Sequence, residues 1–119
     1  MHYIIVGCGR VGSELAYRLY QKGHQVSVVD YDDRAFQNLN PNFRGRTVSG
    51  EALSQEILQR AGIESADGLV AVTNSDPLNA IVAHIARIAF GIKNIVVRNY
   101  DPVFRTLHES FELQIISSS

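Results

Sequence analysis

Apolar and polar positions follow two periods along the chain. Short, nearly continuous β-branched runs are separated by longer stretches in which apolar residues recur at helical spacing. Tyr3 to Val6 predicts a first strand covered on both faces, since strands buried on both sides carry little polar alternation. From Arg10 to Gln21 a helix is expected, with Val11, Leu15, Ala16 and Leu19 near one stripe and Lys22-Gly23 closing it. Gln25 to Val29 predicts a second strand that ends at Asp30. Asp33 to Asn38 suggests a short helix, and Arg46 to Val48 a brief third strand. A helix from about Ser54 to Arg60 stops at Ala61-Gly62, and Gly68 to Val72 gives the fourth strand. The helix beginning near Asp76 takes Pro77 in its first turn, where a missing N–H costs little. It carries Ile81, Ile85, Ile88 and Ala89 and ends at Gly91. Asn94 to Val97, a helix from Pro102 to about Ser110, and Leu113 to Ile116 complete the pattern.

Strands that alternate with helices specify an α/β fold with a parallel sheet. Six strands with right-handed crossovers give a Rossmann-type doubly wound sheet of order 3-2-1-4-5-6. No internal linker or repeat divides the chain, so residues 1–119 are read as a single domain. At 119 residues the chain is too short for two ordinary domains. A net charge of −1 carries no basic excess, which excludes nucleic acid as the expected partner. The one cysteine, Cys8, rules out an internal disulfide and fits a reducing compartment. No apolar run approaches the length of a membrane span. The expected location is cytoplasmic, with any membrane connection made through a partner.

The chemistry concentrates in Gly7-Cys8-Gly9-Arg10-Val11-Gly12, a G-x-G-x-x-G that follows a β-rich run and opens a helix. Gly7 permits the tight turn, Gly9 lets a pyrophosphate approach the backbone, and Gly12 lets helix and strand pack closely. The helix N-terminus offers N–H groups and partial positive charge to phosphates. Asp30 ends the next strand, at the separation expected of an acid that accepts hydrogen bonds from ribose hydroxyls. Its charge repels a 2′-phosphate, and no arginine follows it directly, so NADP is disfavoured. Arg10, at the phosphate-facing turn, is placed to clamp a further phosphate through its guanidinium fork.

Beyond the loop, the succession Gly50-Glu51, Ile57-Leu58, Ala61-Gly62-Ile63, Ala66-Asp67, Val70-Ala71-Val72-Thr73, Asn79, Arg98 and Asp101-Pro102 runs through the chain. It resembles the nucleotide-binding RCK domain (also called KTN, or TrkA N-terminal) of potassium channels and transporters, over essentially the whole length. The resemblance implies a regulatory domain on the inner face of the membrane that binds NAD(H), ATP, ADP or AMP. It further implies a homodimer or higher homo-oligomer that reports the bound state to a membrane potassium channel or transporter subunit. By the same resemblance Gly7, Gly9 and Gly12 line the phosphates, Arg10 reaches one of them, and Asp30 holds the ribose. Gly50 and Glu51 match a Gly-Asp step beside the adenine, Thr73 faces the nucleotide, and Arg98 lies near the phosphate side. Cys8, Val11, Tyr31 and Asn74 adjoin these positions and complete the expected cofactor-contacting set. The chain departs from the family pattern at Glu51, which lengthens the reach of the acid. It departs again at Ser117-Ser118-Ser119, where a proline and often a glutamate are usual.

Elsewhere the residues carry no chemistry. His2, His24, His84 and His108 have no metal-ligand spacing, and Asp32 and Asp33 are expected to cap a solvated turn. Cys8 lies where a helix N-terminus could lower its pKa, but a small buried residue is the simpler reading. Most of Ile81, Ile85, Ile88, Phe104, Leu107 and Phe111 are expected inside, with a dimer face as the secondary reading. No acid, base or nucleophile set stands out, so the chain is read as a sensor and not as an enzyme. The competing reading is the cofactor-binding part of an NAD-dependent oxidoreductase, whose substrate domain would have to lie elsewhere.

Overall fold

Side chains that alternate along the central strand divide the core into two layers. Ile4 and Val6 face one side of the sheet and Ile5 the other, and all three are buried. The computed structural model describes residues 1–99 and the strand at 114–117. Six strands form one sheet: β1 (His2–Val6), β2 (Gln25–Asp30), β3 (Arg46–Ser49), β4 (Gly68–Ala71), β5 (Asn94–Asn99) and β6 (Gln114–Ser117). Every pairing is parallel, and the order is β3-β2-β1-β4-β5-β6, as the alternating pattern predicts. The helices are α1 (Arg10–Gln21), α2 (Gln55–Arg60) and α3 (Asp76–Phe90), with 3-10 turns at Asp33–Asn38 and Ile63–Ser65. The helix expected from Pro102 to Ser110 lies outside the described residues.

On one face α1, the first 3-10 turn and the loop after it cover Ile5, Val26, Val28, Val70 and Val72 with Ala16, Phe43 and the partly buried Leu15, Leu19 and Phe36. On the other, α2, α3 and the second 3-10 turn cover Ile4, Val6, Leu69, Ile95 and Val97 with Leu58, Ile63, Val82 and Ala86. The crossovers therefore reverse direction at β1 and β4, which opens a crevice beyond the carboxyl ends of those strands.

The differences from expectation have local causes. β1 starts at His2, one residue early, because that side chain is buried. Its Nε2 lies 2.9 Å from Ser27 Oγ, and its backbone N–H donates to Asp67 Oδ2 at 2.8 Å. The turn at Ile63–Ser65 was not expected. It tucks Ile63 into the core between α2 and β4. The largest correction concerns α3. Ile81 is 47% and Ile88 70% exposed, although most of this stripe was expected inside. The inner face of α3 is instead made of Ala80, Val82, Ala83 and Ala86, whose small side chains bring the helix close to the sheet. Val11 is displaced for the same reason. The buried face of α1 is Gly12, Ser13 and Ala16, which leaves Val11 exposed beside the crevice.

The buried His2 makes stability depend on pH. Its pKa is lowered, first by burial and then by the charge of Arg46, against a smaller opposing effect of Asp67. Burial lowers that of His84 as well. Both imidazoles take up a proton more readily in the unfolded chain, so their contribution is complete above the ordinary value of 6.5. It is lost as pH falls below that value. The melting temperature is expected to hold from about pH 8 to 7 and to drop between about pH 6.5 and 5, before carboxylates titrate. His2→Gln should shallow that drop, and an unchanged slope in the variant would refute the assignment.

Candidate functional site

The crevice is built from the turn that leaves β1. Gly7 has φ +106°, and a Cβ there would stand 3.0 Å from the Thr73 nitrogen and the Val72 carbonyl. Its own N–H donates to the Val29 carbonyl at 2.8 Å. A Cβ on Gly12 would fall 1.8 Å from the Gly7 oxygen, so only glycine lets α1 start this close to the strand. Gly9 is different. It caps α1, no side chain caps the helix in its place, and a Cβ on it would meet nothing within 4 Å. The start of a twelve-residue helix thus opens onto free space, as an anion site requires.

Asp30 fixes that turn. Its Oδ2 accepts from the Cys8 N–H at 2.8 Å and its Oδ1 from the Asp32 N–H at 2.9 Å, while its carbonyl accepts from the Gly50 N–H at 3.0 Å. The Cys8 carbonyl in turn accepts from Asn38 Nδ2 at 3.0 Å. The backbone of Cys8 is gripped on both sides, through its N–H and through its carbonyl. Each carboxylate oxygen has capacity for a further hydrogen bond, which a ribose hydroxyl can supply. The Cys8 thiol does not behave as a helix-terminus thiolate: burial, and then the Asp30 charge, push it up to about 11. That corrects the idea of an activated cysteine and agrees with a small buried residue.

The opposite wall hangs on Asn79, which is fully buried. Its Oδ1 accepts from the Thr73 N–H at 2.9 Å and from Thr73 Oγ1 at 2.6 Å. Its Nδ2 donates to the Thr73 and Arg98 carbonyls, each at 3.1 Å. All four hydrogen-bonding positions of the amide are used, and the loop after β4 is tied to β5. Asn79 and Asn38 were not among the candidate site residues. Asn79 is a buried polar residue on a helix face that is apolar after Asp76 and Asn79 themselves, and its place in the family succession was the available signal.

The resulting cleft has a volume of about 740 Å³, within the usual range for a ligand site. It is lined by Gly7, Cys8, Gly9, Arg10, Val11, Asp30, Tyr31, Glu51, Thr73, Asn74 and Arg98, so most of the candidates converge. Gly12 and Gly50 do not line it. Gly12 packs beneath Gly7, and a Cβ on Gly50 would come 2.4 Å from Ile57 Cδ1, behind the wall. Carboxylates gather on the β2–β3 side, from Asp30, Asp32 and Glu51, while Arg10 and Arg98 lie toward α1 and β5. Asp32 accepts from the Arg34 N–H and side chain, the capping role expected of it. That contact holds its carboxyl below the usual range.

This geometry can be set beside known proteins. The sequence matches the family model of the TrkA-N domain over residues 3–118. The chain belongs to the TrkA-N family. It is 48% identical over 102 residues to the Trk system potassium uptake protein TrkA of Streptomyces coelicolor, a match covering 86% of this chain and 46% of that protein. Among solved structures, a Shewanella denitrificans Kef C-terminal domain in AMP-bound form has a TM-score of 0.83 at 19% identity. It covers 99% of this chain and 72% of that one. The GsuK channel bound to NAD has a TM-score of 0.80 at 24% identity, covering 98% and 20%. At such identities the structural likeness establishes the fold. This TrkA-N chain spans less than half the length of the curated relatives it matches.

Asn79 gives a direct test of the wall. Asn79→Ala strands the Thr73 N–H and the Arg98 carbonyl, and unfolding in denaturant should show a loss of about 2–4 kcal/mol. A loss under about 0.5 kcal/mol would mean that water or a neighbour replaces the amide.

Proposed function

We propose that this TrkA-N domain binds NAD(H) or an adenine nucleotide in the cleft between β1 and β4, as the sensing part of a potassium uptake system. The observation that carries this reading is the pairing of Asp30 with the Cys8 N–H beside the open face of Gly9. A ribose acceptor and a phosphate cradle are thereby held at one end of the sheet, before any ligand arrives. Asp30, Tyr31 and Glu51 would take the adenosine half, the Gly7–Val11 turn the phosphates, and Arg10 and Arg98 the charge beyond. Gly12 and Gly50 would shape the site from behind. Thr73 and Asn74 would meet the distal part of a dinucleotide.

The AMP and NAD bound by its structural neighbours share the adenosine half, which fits a site anchored at Asp30. The potassium uptake role named for the Streptomyces relative supports a membrane transporter subunit as the partner, with the domain on the cytoplasmic face. No helix among the described residues is long and apolar enough to cross a membrane, in keeping with contact through that partner. Two copies whose arrangement depends on the bound nucleotide would pass the signal on, which needs a difference in affinity between two states and no covalent chemistry. Among the described residues, the β4–β5 side of the cleft offers Thr73, Asn74, Ser75 and Arg98, which do not make the acid–base pair that hydride transfer to a substrate requires.

Calorimetric titration of the chain with NADH, NAD, ATP, ADP and AMP tests the proposal. Saturable binding is expected, with NADP weaker than NAD. Asp30→Ala should cost roughly tenfold to a hundredfold in affinity, the value of a charge-assisted hydrogen-bond pair. Binding that survives Asp30→Ala unchanged would move the site elsewhere. Substrate-dependent NADH formation by the chain alone would favour an oxidoreductase.

A further inference from the structure

A second concavity opens at the other end of the sheet, where β2 and β3 begin. Its volume is about 460 Å³, and its lining includes Tyr20, His24, Ser27, Arg44, Gly45 and Arg46. No carboxylate lines it, in contrast to the first cleft and to a chain whose net charge is −1. Neither arginine forms an ion pair among the described residues, whose two salt bridges are Arg18–Glu14 and Arg34–Asp32.

The guanidiniums are held in place by carbonyl oxygens. Arg44 Nη1 donates to the Pro41 carbonyl at 2.7 Å, and Arg46 Nη1 donates to the Arg60 carbonyl at 3.0 Å. A carbonyl orients a guanidinium without neutralising it, and each fork keeps further N–H donors. The floor is equally fixed. Ser27 is 1% exposed and bonded to the buried His2, and a Cβ on Gly45 would fall 2.2 Å from the Phe43 ring. Tyr20, which lines the hollow, packs on that ring at a tilt of 59° with centroids 5.3 Å apart, so its position is fixed from behind. Two arginines that line one hollow without a carboxylate, each anchored through a carbonyl and each with N–H donors to spare, match the recognition of a phosphate or phosphomonoester dianion.

We propose that this hollow is a second anion site, taking the phosphate group of a small soluble ligand and separate from the nucleotide cleft. The cleft lies at the carboxyl ends of the strands and the hollow at the amino ends of β2 and β3. Occupation of one therefore leaves the other open. The proposal does not rest on the nucleotide reading.

The test is an amide-resolved NMR titration of the chain with inorganic phosphate, against sodium chloride at matched ionic strength. It is run on the unmodified chain and on Asp30→Ala. Saturating shifts are expected at His24–Ser27 and Arg44–Arg46, and they should persist in Asp30→Ala. Arg44→Gln and Arg46→Gln should each weaken binding about tenfold, as loss of a charge-assisted contact does. Arg44→Gln removes a contact to a surface loop alone, so its effect is readable even if Arg46→Gln disturbs the fold. Binding should also raise the His2 pKa measured from its ring signals, because an anion offsets the Arg46 charge. Shifts that chloride reproduces, that fail to saturate, or that fall only on Gly7–Val11 would overturn the proposal.

Discussion

The hydrogen bond from the Cys8 N–H to Asp30 Oδ2 is the contact on which the rest of the arrangement depends. It joins the ends of β1 and β2, whose strands are already in register from His2 with Gln25 to Val6 with Val29. A buried peptide N–H needs an acceptor, and a carboxylate that gives up water needs donors. Asp30 answers both needs while remaining at the surface of the crevice. The glycine turn is thereby set with the open side of Gly9 toward free space, and under the proposed function a nucleotide would have little ordering left to do on arrival.

The same economy governs the opposite wall. Asn79 sends both of its donors and both of its acceptor positions into the Thr73 loop and β5, so the two sides of the cleft are each fixed by one polar side chain. Between them lies a gradient of charge, with Asp30, Asp32 and Glu51 on the β2–β3 side and Arg10 and Arg98 toward α1 and β5. The arrangement suits a molecule with a neutral sugar at one end and anionic groups further along.

Much of this was legible from the residues. Strand order followed from the alternation of apolar runs because both faces of a parallel sheet are buried, which leaves an unmistakable pattern. The geometry of the glycine turn and the place of Asp30 beside it were legible because they belong to the backbone and to a fixed separation. α3 was harder. A helix apolar on several sides does not say which stripe is inside, and close packing chose the alanines over Ile81 and Ile88. Gly50 was assigned to the adenine side, yet its requirement for glycine comes from Ile57, a contact across α2 that spacing cannot reveal. The grip of Asn38 and Asn79 depends on partners 30 and 6 residues away, and an asparagine carries no mark of its partner.

The central claim is that a preset turn held by Asp30 is where the nucleotide binds. Its most direct measurement is the map of amide chemical-shift changes as ADP is added to the isotopically labelled chain. The account predicts changes concentrated at Gly7–Val11, Asp30–Asp32 and Thr73–Ser75, with β2 and β3 unmoved at their amino ends. Changes confined to other surfaces, or none at saturating ADP, would contradict it.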